Sequence, residues 1–267
     1  MKIGIIGCGY LGKALAKFWK TKGHELSVTT RKIARVADLE LIADHVIVLT
    51  PETLKQFIAQ QEVLFISVAP DSEASYASTY LETAQHVIAA LPQTPHLKQI
   101  IYISSTSVYG EHQGNWVDET TPIIPFNTSS DCLYATEQTL LQASTPHLHI
   151  CILRLGEIYG PEREISKRLL TGKNFAGTGD QITNLIHLEE IIRAADLALN
   201  KNLEGIYNTC NDLHLPRKEL YETLCKEKEI PSIQWNPFIK SVHGGNKTVS
   251  NQKLKKMGFQ CSNTKVG

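Results

Sequence analysis

The 267 residues include two methionines and three tryptophans, and the six cysteines form no C-x-x-C pair. Cys8, Cys132, Cys151, Cys210, Cys225 and Cys261 are scattered, several inside apolar runs where a thiol behaves as a small hydrophobe. That spacing argues against a disulfide framework. The ten histidines are just as dispersed. The closest pair, His147 and His149, precedes a strand instead of standing four apart on a helix face, so no metal site is expected. Formal charge is zero, 27 basic against 27 acidic residues, and like charges never run long enough to make a footprint for nucleic acid. No apolar stretch approaches the roughly 18 residues of a membrane span, and no charged leader precedes the first strand. The expectation is a soluble cytoplasmic protein with neither nucleic acid nor membrane as partner.

What is present is a chain that is 42% apolar and long enough to bury a core without covalent staples. Short apolar runs at 2–6, 25–29, 45–49, 62–68, 98–104 and 149–154 alternate with helical segments, among them 13–20 and 76–91. This rhythm predicts parallel βαβ units, hence an α/β fold with a doubly wound Rossmann sheet. Beyond Gly160 the sequence turns richer in Gly, Asn and Lys and poorer in strands. A boundary there divides a dinucleotide-binding core, 1–158, from a smaller C-terminal substrate lobe, 159–267. Within that lobe, segments at about 182–212 are expected to pack back on the core.

The first chemical motif is Gly7-Cys8-Gly9-Tyr10-Leu11-Gly12, which follows an apolar strand and opens a helix. In that context the first glycine allows a tight turn, the second lets the backbone approach a pyrophosphate, and the third lets helix pack on strand. Backbone amides and the positive helix end then hold the phosphates. The second strand runs Leu26-Ser27-Val28-Thr29-Thr30-Arg31-Lys32. It lacks the acid that would hold a ribose 2′-hydroxyl some 20 residues past the glycines. Thr30 and Arg31 instead suit a 2′-phosphate, because a guanidinium donates charge-assisted hydrogen bonds. NADP(H) is the expected cofactor, with NAD(H) the alternative.

Ile100 to Gly110, reading I-I-Y-I-S-S-T-S-V-Y-G, resembles the fifth strand and S-S-x-x-V-Y-G loop of the extended short-chain dehydrogenase/reductases, the nucleotide-sugar epimerase and dehydratase group. Leu153-Arg154-Leu155 with Ile158-Tyr159-Gly160-Pro161, then Asn184-Leu185-Ile186-His187, then Gly205-Ile206-Tyr207-Asn208, resemble further elements of that family in order. Ser67-Val68-Ala69-Pro70 and Trp116-Val117-Asp118-Glu119 look most like its atypical members. The resemblance implies cofactor contacts from Val68, Ala69 and Ser104, and a small-molecule substrate. It also implies a homodimer paired through the helices around 76–91 and 129–143.

Members of this family act through a Ser or Thr and a Tyr and Lys four apart on one helix face, the Tyr serving as general acid/base. Ser105 matches the first position. Tyr134 is the candidate Tyr, but Gln138 then stands where the Lys belongs. A phenol of pKa about 10 needs a neighbouring cation to ionise near neutrality, and a neutral amide supplies none. In a second register Glu137 is the acid found four residues after the family Lys, which puts Ser129 and Leu133 at the Tyr and Lys positions. Both registers stay open on the sequence, and both lack the Lys. Leu185 likewise replaces the Arg of the family's N-R-I-H element, while Arg163 and His187 are candidate contacts for a polar or anionic substrate. Two functions follow. One is an epimerase/dehydratase-like oxidoreductase acting on a sugar or other small polar alcohol or ketone. The other is an NADP(H)-binding regulatory or sensor protein with little or no turnover.

Overall fold

The computed structural model describes the whole chain except residues 71, 73–74, 125–126, 171–174, 240–244, 263–265 and 267. The chain divides into two units: Met1–Ser104 with Cys132–Leu153 and Ala195–Ile206, and Ser105–Asp131 with Arg154–Ala194 and Tyr207–Gly267.

Seven strands form one sheet: β1 (Lys2–Ile6), β2 (Glu25–Thr30), β3 (His45–Val48), β4 (Val63–Ile66), β5 (Gln99–Ser105), β7 (His149–Leu155) and β11 (Gly205–Thr209). Their spatial order is β11-β7-β5-β4-β1-β2-β3. The pairs β1–β2, β1–β4, β2–β3 and β4–β5 are parallel, with Ile3 opposite both Leu26 and Val63. Strands of such a sheet are covered on both faces, and Ile3, Ile5, Ile6, Leu64, Phe65 and Ile66 are accordingly buried. β1 lies between β4 and β2, the point where the strand order reverses, so its carboxyl end opens on the crevice where such folds bind ligands. The expected fold class is the one observed.

Helix α1 (Tyr10–Thr21) turns Leu15, Ala16 and Trp19 inward. The Trp19 ring meets Phe65 edge to face at 5.5 Å, and its Nε1 donates to Asp196 of α8 (Leu188–Asn200) at 3.1 Å. Leu54, Phe57 and Ile58 of α3 (Pro51–Ala59) share a core cluster with Ile6, Leu64 and Ile66. The helix expected over 76–91 is two segments, α4 (Tyr76–Thr79) and α5 (Leu81–Ala90). They abut at Tyr80, whose N–H still bonds the Tyr76 carbonyl at 2.9 Å. The helix expected around 129–143 is α6 (Thr128–Leu141).

The second unit is built on short parallel pairs. β8 (Glu157–Tyr159) pairs β10 (Leu185–His187), β9 (Phe175–Ala176) pairs β12 (Trp235–Asn236), and β6 (Trp116–Val117) pairs β13 (Thr248–Val249). Its core gathers Tyr159, Leu169, Leu185 and, from α9 (Arg217–Glu227), Leu220, Tyr221 and Leu224. Arg217 is buried with them. It is tolerated there because Nη2 ion-pairs Glu157 at 2.8 Å and Nη1 donates to the Tyr221 hydroxyl at 2.9 Å. Among the described residues no helix is long and apolar enough to cross a membrane.

Candidate functional site

The loop between β1 and α1 is closed tightly at two of its glycines and open at the third. Gly7 has φ of +90°, and a Cβ there would sit 2.7 Å from the Ser67 and Val68 backbone. A Cβ at Gly12 would stand 2.5 Å from the Gly7 carbonyl oxygen. At Gly9 it would meet nothing within 4 Å. The loop is thus packed against its own scaffold at Gly7 and Gly12, and at Gly9 it offers bare backbone to whatever approaches. Gly9 is the N-cap of α1 and brings no side-chain cap, and the first turn carries no acid. An uncapped helix start of this kind favours an anion. Ser67, just past β4, ties the loop down, its Oγ donating to the Gly7 carbonyl at 2.9 Å.

Cys8 and Leu11 are buried and Tyr10 is half-buried. Two cations, Arg35 and Lys13, act on the Cys8 thiol, yet burial outweighs them and pushes it up to about 11. Cys8 is therefore an apolar filler and not a reactive thiolate. Arg35 lies on a one-turn 3-10 helix (Ile33–Arg35) after β2, and its Nη2 donates to the Cys8 carbonyl at 2.6 Å. That guanidinium links the end of β2 to the glycine loop. Arg31 is exposed, and Thr30 is buried with its Oγ1 accepting from the Lys32 N–H at 3.1 Å. Val68 is half-buried and Ala69 exposed, both just beyond β4. Ser104, at the end of β5, is buried and donates to Glu137 Oε1 of α6 at 2.5 Å.

The two expected catalytic residues belong to different units. Ser105 is half-buried in the second, its Oγ accepting from the Ser107 N–H at 3.1 Å and so capping the 3-10 turn Thr106–Tyr109. Tyr134 is half-buried on α6 in the first, as is Gln138. In the second unit His187 meets Tyr159 edge to face at 5.1 Å, and its Nδ1 accepts from the Glu189 N–H at 3.3 Å. Arg163 is exposed, its N–H bonded to the Gly160 carbonyl at 2.9 Å, and a Cβ on Gly160 would stand 3.1 Å from His187 Nε2. Arg163 and His187 thus flank the same glycine. Behind the Ser105 turn, the buried Tyr109 hydroxyl donates to Asn208 Oδ1 at 2.8 Å, and the Asn208 N–H donates to Glu119 at 2.7 Å.

Sequence reasoning missed Arg35, Ser67 and the Ser104–Glu137 pair. Ser67 lay in a motif already singled out. Arg35 sits on a turn too short to show any periodicity.

A parallel sheet whose strand order reverses beside a glycine loop and an uncapped helix start defines a Rossmann-type nucleotide-binding protein. The chain belongs to the NAD-dependent epimerase/dehydratase family, whose profile matches residues 3–210. It is 30% identical over 269 residues to protein YeeZ of Escherichia coli K12, covering 97% of this chain and 95% of that one. A functionally unknown conserved protein from Silicibacter pomeroyi superposes with a TM-score of 0.80 at 24% identity, over 99% of this chain and 95% of the other. The UDP-glucuronic acid 4-epimerase of Bacillus cereus, solved with UDP-glucuronic acid and NAD, does so with a TM-score of 0.82 at 23% identity and the same coverage.

Proposed function

We propose that the protein binds NADP(H) on the Gly7–Gly12 loop and acts with it on a sugar or another small polar alcohol or ketone. The residues suit the cofactor. Gly9 leaves space where a pyrophosphate meets backbone, the helix start is uncapped, and Gly7, Gly12 and Ser67 keep the loop in shape. When bound, the nicotinamide supplies the hydride acceptor or donor.

The observation that carries the reading toward NADP(H) is the Arg35 hydrogen bond to Cys8. It sets a guanidinium between the strand end that reads ribose in this fold and the loop that reads pyrophosphate, in a chain with no acid at that strand end. Calorimetric titration with NADPH and NADH tests it. One charge-assisted hydrogen bond is worth about 1.5–3 kcal/mol, so NADPH is expected to bind roughly 10- to 100-fold more tightly. Arg35→Ala is expected to remove most of that ratio and Arg31→Ala the remainder. Equal affinities in the wild type would sink the NADP assignment, and absence of binding by either cofactor would sink the whole reading.

A second reading, a cofactor-binding regulatory protein with little turnover, is favoured by the Ser104–Glu137 hydrogen bond. A buried Glu137 supports the register that puts Ser129 and Leu133 where the family has Tyr and Lys. All six cysteines are unpaired thiols, which supports a reducing, cytoplasmic location. The homodimer through α5 and α6 belongs to the same reading, with sedimentation as its test.

A further inference from the structure

The seven-stranded sheet ends differently on its two sides. β11 forms one edge, and there the Asn208 N–H donates to Glu119 at 2.7 Å. β3 forms the other, paired with β2 on one side only. It reads His45-Val46-Ile47-Val48 and runs on into Leu49, with no lysine, acid or proline. Those are the residues that ordinarily keep an edge strand from pairing with another chain.

An apolar run without alternation suits a strand covered on both faces, yet the cover of β3 is incomplete. All four residues of β4 are buried, whereas Val46 and Ile47 of β3 are half-buried and Val48 is 36% exposed. The crossover from β2 to β3 adds two more aliphatic side chains. Ile33, on the 3-10 turn after β2, is 78% exposed, and Leu41, just past α2 (Val36–Glu40), is 80% exposed. Such residues scattered singly need no explanation, but three of them around one unpaired strand mark a contact surface.

The two ends of this edge differ in charge. Ser27 is in register with His45 and Thr30 with Val48, so Arg31 and Lys32 continue past the carboxyl end of β3, with Arg35 on the turn behind them. Against these cations stands Glu52, in the first turn of α3. At the amino end are Glu25, Glu40 and Asp44. Lys2 and His45 lie 3.9 and 3.5 Å from Glu25, and Lys20 lies 3.2 Å from Asp44, which leaves Glu40 over. Antiparallel pairing about a two-fold axis brings the carboxyl end of one strand to the amino end of the other. Lys32 and Ile33 of one copy then face Glu40 and Leu41 of the second, and the axis repeats the match at the far end. Parallel pairing would instead set the cations of the two copies side by side.

We infer that the β3 edge is a self-association surface, where a second copy of the chain adds its own β3 antiparallel to the first and continues one sheet across both protomers. The surface uses no residue of α5, α6 or the Gly7–Gly12 loop, so it stands or falls apart from the dimer and the cofactor proposed above.

The test is sedimentation velocity on the full chain from about 5 to 300 µM, since a contact of this modest size is expected to have a dissociation constant on the order of 10 µM. Val48→Lys puts a charge on the edge and is expected to halve the limiting mass. Lys32→Glu and Glu40→Lys each set like charges together at both ends and should weaken association roughly tenfold, while the double variant restores it to within about threefold. Peptides covering residues 44–50 are expected to exchange their amide hydrogens more slowly as concentration rises. Lys32, Glu40 and Val48 are all exposed, so the variants keep their fold, which circular dichroism checks. A monomer at the top of the concentration range overturns the proposal. So does an assembly whose mass is unchanged in folded Val48→Lys, which would put the contact elsewhere, or a double variant that associates no better than the single ones.

Discussion

The Ser104 hydroxyl at the end of β5 donates to the Glu137 carboxylate on α6 at 2.5 Å, and Glu137 is fully buried. A buried carboxylate without partners is costly, so the bond fixes which way α6 is rotated. Ser130, Leu133 and Leu140, respectively seven and four residues before and three after Glu137, are buried on the same stripe, while Tyr134 and Gln138 stand only half-buried beside it.

Removing the hydroxyl takes one hydrogen-bond partner from a buried carboxyl group. Ser104→Ala is expected to cost about 1.5–3 kcal/mol of stability in urea denaturation. Glu137→Gln should cost less, because its amide oxygen still accepts from Ser104. A Ser104→Ala variant as stable as the wild type would mean that the bond does not hold α6.

Gly9 and Gly12 separate binding from folding. A methyl group on Gly9 meets open space, and on Gly12 it stands 2.5 Å from the Gly7 carbonyl oxygen. Gly9→Val is therefore expected to keep wild-type stability and lose NADPH affinity, whereas Gly12→Ala loses affinity and about 1–3 kcal/mol of stability as well. Denaturation together with fluorescence of bound NADPH reads both. Retained affinity in folded Gly9→Val would put the dinucleotide somewhere else.

The six predicted runs, 2–6 through 149–154, became the strands β1, β2, β3, β4, β5 and β7 within a few residues at each end. They were legible because parallel strands buried on both faces read as unbroken apolar runs. The glycine loop was legible for a related reason: its spacing is dictated by backbone geometry that no other residue satisfies at Gly7 and Gly12. Arg35 was not, since what makes it notable is a hydrogen bond to a carbonyl 27 residues away. The α6 register was equally hidden. Tyr134 and Glu137 are both plausible in a helix, and only the packing of the helix on β5 shows which of them turns inward.

Lys247 gives the stability a pH dependence on the alkaline side. It is 5% exposed, its Nζ donates to the Gly110 carbonyl at 3.2 Å, and burial lowers its ammonium to about 8 against the opposing pull of Glu111. The folded value lies below the unfolded one, so between about pH 8 and 10.5 the unfolded chain binds more protons and stability rises with pH across that window. Below pH 8 the full burial cost, on the order of 3 kcal/mol, is present. Denaturation midpoints across that window are expected to climb for the wild type and to climb less for Lys247→Met. Parallel curves for the two proteins would show that Lys247 keeps an ordinary affinity for its proton.

The rotation of α6 bears directly on catalysis. Successive helical residues are about 100° apart, so with Glu137 turned to β5, Gln138 faces a different direction, and the inward stripe carries Leu133 where a cation would be useful. A lysine at 138 is then about 100° around the helix from Glu137, and Tyr134 stands half-buried at the edge of the stripe, five residues past the Ser129 position that this register gives the phenol. NADPH oxidation, followed by absorbance against a panel of small carbonyls and nucleotide sugars, is therefore expected to agree within about twofold among wild type, Gln138→Lys and Tyr134→Phe. The alternative register makes an opposite forecast. If Tyr134 and Gln138 hold the acid/base positions, Tyr134→Phe loses and Gln138→Lys gains on the order of 10²-fold, the usual worth of a positioned general acid. A gain in Gln138→Lys would overturn the rotation argued from Ser104 and Glu137 even if the wild-type rate were too small to measure, because that variant needs only to rise above the blank.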